Sequence, residues 1–295
     1  MIYEPRWNVE GRDWPNRGHS RFVDAGGLRW HVQTIESSRA DAPALLLIHG
    51  TGAATHSWRA LAPMLAADFA VTAIDLPGHG FTRGVPVGGV GIEGMARGIG
   101  DLLRVLDLRP WAIVGHSAGA AVAVRMAIDG IAAPAAIVGL GAALMPFRGL
   151  AAQLFPTLAR MIFVNPFAPH ILSRMARSRG ETARFLTRST GSRIDAAGVA
   201  GYAALLATPG HVAGAIAMMA SWDLERLRDD LPRLTARLLL VHGGADSAIP
   251  VAQARAAAAL VPGAQVTVLP GLGHLAHEEA PERVAVLVRD FVGGG

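Results

Sequence analysis

Apolar and polar positions alternate through residues 20–25 and 28–35, which predicts two strands joined in a hairpin at Ala25-Gly26-Gly27. Short apolar runs at residues 44–48 and 69–75 predict two more strands, with a helix over residues 57–67 between them. Residues 92–106 have helical periodicity, with Met95, Ile99, Leu102, Leu103 and Leu106 on one face. A strand over 111–114, an Ala- and Val-rich helix over 118–128 and a strand over 135–140 follow. From about residue 145 to 233 no strand is evident. That stretch reads as helical blocks broken by Pro146, Pro156, Pro166, Pro169, Pro209 and Pro232. The alternation then resumes with a strand at 237–241, a helix at 251–260, a strand at 265–269 and a helix at 281–291.

Eight strands alternating with helices predict an α/β fold with a mostly parallel sheet and helices on both faces. The expected organisation is a core of residues 1–144 and 234–295, with a helical cap over residues 145–233 inserted into it. At 295 residues and 51% hydrophobic content, the chain can bury a substantial core. No apolar run approaches the roughly 18 residues of a membrane span, and the charged, Trp-containing start lacks a secretory h-region. A cytoplasmic location is the resulting expectation.

The absence of cysteine rules out disulfides, thiolate catalysis and cysteine-ligated metal. All 27 basic side chains are arginine. Eight of them (Arg148, Arg160, Arg174, Arg177, Arg179, Arg184, Arg188 and Arg193) fall in residues 145–194 against the single acid Glu181. That local charge of +7, on a chain of net +4, suggests an anionic ligand or surface. The same stretch is strongly apolar from Leu154 to Leu172, so helix packing, a wide apolar pocket and a peripheral membrane contact are all open readings.

The candidate chemistry centres on Gly115-His116-Ser117-Ala118-Gly119, a G-x-S-x-G pattern between a predicted strand and a predicted helix. A sharp strand-to-helix turn would strain Ser117 and expose its hydroxyl, while the two glycines remove Cβ atoms that would clash. A serine nucleophile needs a base, and the base needs an orienting acid. Asp246 and His274 each follow a predicted strand, in the order Ser, Asp, His that goes with such an elbow. The loop after the preceding strand, residues 139–143, contains no acid. The backbone N–H groups of Thr51 and Ala118 are the expected oxyanion donors. Candidate pocket residues are His49, Trp58, His116, Phe147, Met218, Met219 and Trp222.

Other motifs carry less. His274-x-x-His277-Glu278 fits neither usual zinc-protease spacing, so no metal is expected. Residues 88–91 are glycine-rich but lack the preceding strand of a dinucleotide loop, so no cofactor is expected. The arginines lack interleaved aromatics, which argues against nucleic acid. His79 reads as structural.

These motifs together resemble the α/β-hydrolase fold family: His-Gly-Thr-Gly at 49–52, Asp-Leu-Pro-Gly-His-Gly at 75–80, the elbow, and the Asp246 and His274 loops. The resemblance covers residues 20–292. It implies Ser117, Asp246 and His274 as a catalytic triad and a cap over the active site. Serine at 117 sets the chain apart from the branches with an aspartate nucleophile. Residues 11–17 (GRDWPNR), 26–33 (GGLRWHVQ), 50–58 (GTGAATHSW) and 211–224 (HVAGAIAMMASWDL) further resemble the magnesium-chelatase accessory proteins of bacteriochlorophyll biosynthesis. Taken with the triad, that resemblance implies a serine hydrolase acting on an apolar or tetrapyrrole-type ester, with a magnesium chelatase contact; the basic, apolar cap adds a peripheral contact of this cytoplasmic protein with the inner or photosynthetic membrane. A non-catalytic porphyrin-binding or chelatase-assisting module and a general carboxylesterase are the competing readings.

Overall fold

The computed structural model describes residues 3–146, 167–175 and 179–294. Its strands are β1 (Ser20–Ala25), β2 (Leu28–Ile35), β3 (Ala44–Ile48), β4 (Ala70–Ile74), β5 (Ala112–His116), β6 (Ala136–Leu140), β7 (Arg237–Gly243) and β8 (Gln265–Leu269). The helices are α1 (Leu61–Leu65), α2 (Ile92–Val105), α3 (Ala118–Ile128), α4 (Ala168–Met175), α5 (Arg179–Thr190), α6 (Ala196–Leu206), α7 (Pro209–Ala220), α8 (Leu224–Asp230), α9 (Val251–Ala258), α10 (Ala276–Glu279) and α11 (Pro281–Gly293).

The strands form one eight-stranded sheet in the order β1-β2-β4-β3-β5-β6-β7-β8. β2 is antiparallel to both β1 and β4, and every other pair is parallel. This is the mostly parallel α/β sheet expected from the alternation, in the α/β-hydrolase arrangement that the motif resemblance implied. The central strands read as continuous apolar runs because both of their faces are covered. Leu46, Ile48, Ile113, Ile137, Leu238 and Leu240 enter one core layer with α2 and α3. Their neighbours Leu45, Leu47, Val114, Val138, Leu239 and Val241 enter the other layer with α1 and α11. The period-2 alternation of a strand thus divides one apolar run between two cores.

β3 lies between β4 and β5, so the chain leaves β3 in one direction and returns on its other side. Open α/β sheets bind ligands at the carboxyl ends of their strands at such a switch point. Residues 49–52 and the turn at Ser117 both lie there. α3 approaches β3 closely enough that a Cβ on Gly119 would collide with the carbonyl oxygen of Ile48.

Two local expectations are corrected. The helix predicted over 57–67 is a 3-10 turn, Thr55–Trp58, followed by the short α1. Pro63 explains this: without an N–H it fits only the first turn of a helix, so no helix can run through it from residue 57. Trp111, predicted inside a buried strand, precedes β5 and is exposed, although its N–H donates to the Ala44 carbonyl at 2.8 Å.

Between β6 and β7 the described chain is helical, α4 to α8. Phe147 and the apolar stretch from Leu154 to Val164 lie outside the described residues, as do Arg148, Arg160 and Arg177. Arg174, Arg184, Arg188 and Arg193 are exposed, and so are Phe167, Ile171 and Phe185. No single helix among the described residues is long and apolar enough to cross a membrane. The N-terminal segment packs onto the body of the fold. Trp7 meets Phe22 and Phe81 edge-on, and Trp14 donates its indole N–H to Thr55 Oγ1 at 2.9 Å.

Candidate active site

Ser117 sits between β5 and α3 with φ 49° and ψ −111°, a left-handed conformation that a non-glycine residue rarely adopts. Surrounding bonds hold it there. Its N–H donates to the Leu140 carbonyl at 2.8 Å, and its own carbonyl accepts the N–H groups of Ala120 and Ala143, both at 3.2 Å. The turn therefore aims the Ser117 side chain out of the strand line, as an elbow requires.

His274 follows β8 and is nearly buried. Its N–H donates to the Thr190 carbonyl at 2.8 Å, and its Nδ1–H donates to Asp246 Oδ2 at 2.7 Å. The ring lies over Gly141, where a Cβ would stand 2.9 Å from Nδ1. Gly141 directly follows Leu140, whose carbonyl receives the Ser117 N–H. One short segment after β6 thus contacts both Ser117 and His274. No hydrogen bond joins Ser117 Oγ to His274 Nε2 among the described residues. Serine–imidazole bonds of this kind are commonly long without substrate and tighten when it binds.

Asp246, in the loop after β7, has no exposed side-chain surface. Its Oδ1 accepts the N–H groups of Ala248 and Ile249, each at 2.8 Å. Its Oδ2 accepts from His274 and, at 3.2 Å, from His242 Nε2. Burial alone would raise this carboxyl, but the bonds from His242 and His274 overcome it and hold the pKa down to about 2. The carboxylate is therefore ionised at neutral pH and fixes His274 as the Nδ1–H tautomer, leaving Nε2 free to accept a proton.

The loop after β3 completes the surroundings. His49 is fully buried. Its Nδ1–H donates to the Gly50 carbonyl at 2.7 Å, and its Nε2 accepts the Leu76 N–H at 2.9 Å. That first bond fixes the plane of the Gly50–Thr51 peptide. Because the peptide is trans, the Thr51 N–H points the opposite way from the Gly50 carbonyl. No bond among the described residues takes the N–H of Thr51 or that of Ala118, the first residue of α3. Thr51 donates its hydroxyl to Met218 Sδ at 3.3 Å.

Of the predicted pocket residues, His49, Trp58, His116 and Met218 are buried within the packing, and Met219 and Trp222 are half-buried. His116 donates Nε2–H to the His274 carbonyl at 3.1 Å and packs at a tilt against the His274 and His277 rings, with centroids at 4.8 and 4.5 Å. His277 also packs at a tilt against Trp58. His79 bonds the Pro77 carbonyl at 3.1 Å.

Three sets of residues near the site had no assigned role in the sequence. His242 shares the Asp246 carboxylate. Burial opposes charge on His242, but the Asp246 carboxylate and the Ile249 carbonyl raise its pKa on balance. Glu278 is buried and bonded to Arg59 and, at 2.8 Å, to the Tyr202 hydroxyl; Arg59 also reaches Asp195, the N-cap of α6, at 2.8 Å. Burial pushes Glu278 up to about 7 despite the adjacent Arg59. On the other side, buried Asp75 accepts from His31 at 2.7 Å and from the N–H groups of Thr55 and Phe81 at 2.7 and 2.8 Å, which ties the 75–81 loop to the core. A signal for Glu278 existed in the His277-Glu278 pair, but the partners Arg59 and Tyr202 lie far away in sequence.

Comparison with known proteins adds a second line of observation. Residues 45–287 match the profile of the alpha/beta hydrolase family. The chain is 39% identical over 282 residues to the magnesium-chelatase 30 kDa subunit of Rhodobacter capsulatus, covering 96% of this chain and 97% of that protein. It is 29% identical to pyrrolizixenacetamide deacetylase of Xenorhabdus hominickii, over 85% of this chain and 91% of that one. An alpha/beta hydrolase fold protein from Burkholderia ambifaria superposes with a TM-score of 0.73 at 23% identity, covering 92% of this chain and all of that one.

Proposed function

The chain belongs to the alpha/beta hydrolase family, and from that premise we propose that it is a serine hydrolase whose triad is Ser117, His274 and Asp246. The Asp246–His274 bond beside a strained Ser117 carries this reading. In the proposed reaction, Ser117 Oγ attacks the carbonyl carbon of an ester while His274 Nε2 takes its proton. The N–H groups of Thr51 and Ala118 stabilise the oxyanion, each worth about 3–4 kcal/mol in comparable sites. Collapse breaks the bond to the leaving alcohol, which receives the proton from His274. Water, deprotonated by His274, then attacks the acyl-enzyme and releases the acid and free Ser117.

The substrate class we infer is an apolar or tetrapyrrole-type ester. Support comes from the similarity to the Rhodobacter capsulatus magnesium-chelatase subunit, which runs through the helices between β6 and β7 as well as the core. In this reading those helices, within residues 145–233, form a cap over Ser117. Their exposed arginines, with Phe167, Ile171 and Phe185, supply the contact to an anionic membrane surface. Magnesium chelatase is the protein partner the similarity supports.

One observation favours a second reading. The relative that matches 96% of this chain bears the name of a chelatase subunit rather than a hydrolase. A porphyrin-binding, chelatase-assisting module would keep the triad only as part of the fold. Fluorophosphonate labelling, with Ser117→Ala as control, separates the two. Specific labelling of Ser117, together with failure of Ser117→Ala to support magnesium-tetrapyrrole formation, is expected. A folded protein that does not label, with full function of Ser117→Ala, would select the binding module. Rapid turnover of short p-nitrophenyl esters without any effect of porphyrin would instead indicate a general carboxylesterase.

A further inference from the structure

His211, in the first turn of α7, is buried and uses both ring nitrogens on backbone groups of the core. Its Nδ1 accepts the Gly80 N–H at 3.1 Å, and its Nε2–H donates to the Gly52 carbonyl at 3.1 Å. An N–H donor can meet only an unprotonated ring nitrogen, and a carbonyl can meet only a protonated one. The two bonds therefore fix one neutral tautomer. Burial, its largest influence, lowers the pKa to about 4 and keeps the ring neutral at physiological pH.

The Gly52 end of this link matters because of its position. Gly52 closes the 49–52 loop and has φ 74°, and the preceding residue is Thr51, the proposed oxyanion donor. His49 holds the loop's first half through the Gly50 carbonyl. His211 holds its second half from a different element. α7 meets this loop again through Met218, which accepts the Thr51 hydroxyl. His211 and Met218 are seven residues apart, about two turns, and so project from one face of the helix. Between them, α7 and the 75–80 loop approach backbone to backbone, since a Cβ on Gly214 would collide with the Gly78 carbonyl oxygen. The outer end of α7 is strapped by the N-terminal segment, with Gly210 N–H donating to the Tyr3 carbonyl at 2.8 Å.

We propose that His211 is a positioning residue: it transmits the seating of α7 to the 50–52 loop and holds the Thr51 N–H in its oxyanion-binding orientation. The proposal rests on the serine-hydrolase reading for its catalytic consequence, but not for the link itself. A core histidine with satisfied bonds would have the same burial. The two halves of the imidazole must therefore be separated.

His211→Gln and His211→Asn do this. Glutamine can place an N–H near the Nε2 position and keep the donor to Gly52. Asparagine can place its oxygen near Nδ1 and keep only the acceptor for Gly80. The experiment compares wild type and both variants by amide hydrogen exchange over residues 49–54 and by the rate of fluorophosphonate labelling at Ser117. His211→Asn is expected to speed exchange in that loop and to slow labelling by about 10- to 100-fold, short of the full loss of an oxyanion donor. His211→Gln is expected to keep both within about threefold, while the two variants melt at similar temperatures. Equal behaviour of the variants in loop exchange, or an effect that only follows melting temperature, overturns the proposal. A wild type that resists labelling while the exchange difference persists overturns the hydrolase reading alone.

Discussion

His242 and His274 donate to the same oxygen, Asp246 Oδ2, at 3.2 and 2.7 Å. His242 also directs Nε2 at the Ile249 carbonyl at 2.7 Å, so its N–H is shared between the two acceptors. The carboxylate is thus held by an imidazole on each side and by two backbone N–H groups. Asp246→Asn keeps the volume but places an amide N–H against one of these donors. The His274 tautomer then inverts and Nε2 no longer accepts a proton. Ester turnover or Ser117 labelling is expected to fall by roughly a thousand- to ten-thousand-fold, with the fold retained by circular dichroism.

Acid should unfold this protein over an unusually early range. Burial lowers the pKa of His49, His56, His79, His116, His211 and His277, with His211 at about 4 and His277 at about 3. These rings stay neutral in the fold, whereas the unfolded chain binds protons below about pH 6.5. Their contribution is therefore complete above pH 6.5 and is lost as pH falls. Each proton taken up only on unfolding changes stability by about 1.4 kcal/mol per pH unit, so six such rings together make the decline steep. Glu278 acts in the opposite sense between about 4.5 and 7, because its raised pKa favours the protonated, folded form at the lower end. His242, whose pKa is raised by the Asp246 carboxylate and the Ile249 carbonyl, acts in the same sense as Glu278, and these two against six only soften the slope. Denaturant titrations from pH 7 to 4.5 should show a steep decline with net proton uptake on unfolding. A flat profile would contradict the neutral, buried assignment of these histidines.

The parts of the site legible in sequence are those with a local signature. The elbow glycines, the strand before Ser117, and Asp246 and His274 just after strands all depend on residues within a few positions of one another. The parts that were not legible are long-range. Arg59 meets Glu278 across 219 residues, and His211 reaches Gly52 across 159. No periodicity encodes such pairs. The helix expected over 57–67 fell to a single residue, Pro63, whose missing N–H breaks an otherwise helical pattern. Trp111 misled in the other direction, because an aromatic beside an apolar run reads as core whereas its ring is exposed at the strand's entrance.

Arg59 should be more important to stability than a surface arginine. Its guanidinium is nearly buried against the fully buried Glu278, while Asp195 at its other end is exposed. Arg59→Met leaves Glu278 without its cation and is expected to destabilise the protein by about 3–5 kcal/mol. Adding Glu278→Leu removes the stranded carboxylate and should restore much of that loss, short of the bond to the Tyr202 hydroxyl. A double-mutant cycle in urea checks this. Additive losses would show that the pair is not coupled.

Gly119→Ala tests whether the close approach of α3 to β3 is obligatory. Alanine is the better helix former by about 1 kcal/mol, so propensity alone predicts stabilisation. The added Cβ, however, would meet the carbonyl oxygens of both Ile48 and His49. These are backbone atoms in and just after the central strand β3 and cannot rotate away as a side-chain end could. The strain of forcing extra volume into such a contact is about 1–3 kcal/mol or more, and here it exceeds the propensity gain. The net result should be a lower melting temperature, together with slower Ser117 labelling as the elbow shifts against the 49–52 loop. Gly18→Ala provides the opposite case. Gly18 is exposed, has no atom within 4 Å of the added Cβ, and lacks a positive φ. There the reduced freedom of the unfolded chain should dominate and raise stability by up to about 1 kcal/mol. Measured side by side, the two substitutions separate backbone crowding at the elbow from any general effect of replacing glycine.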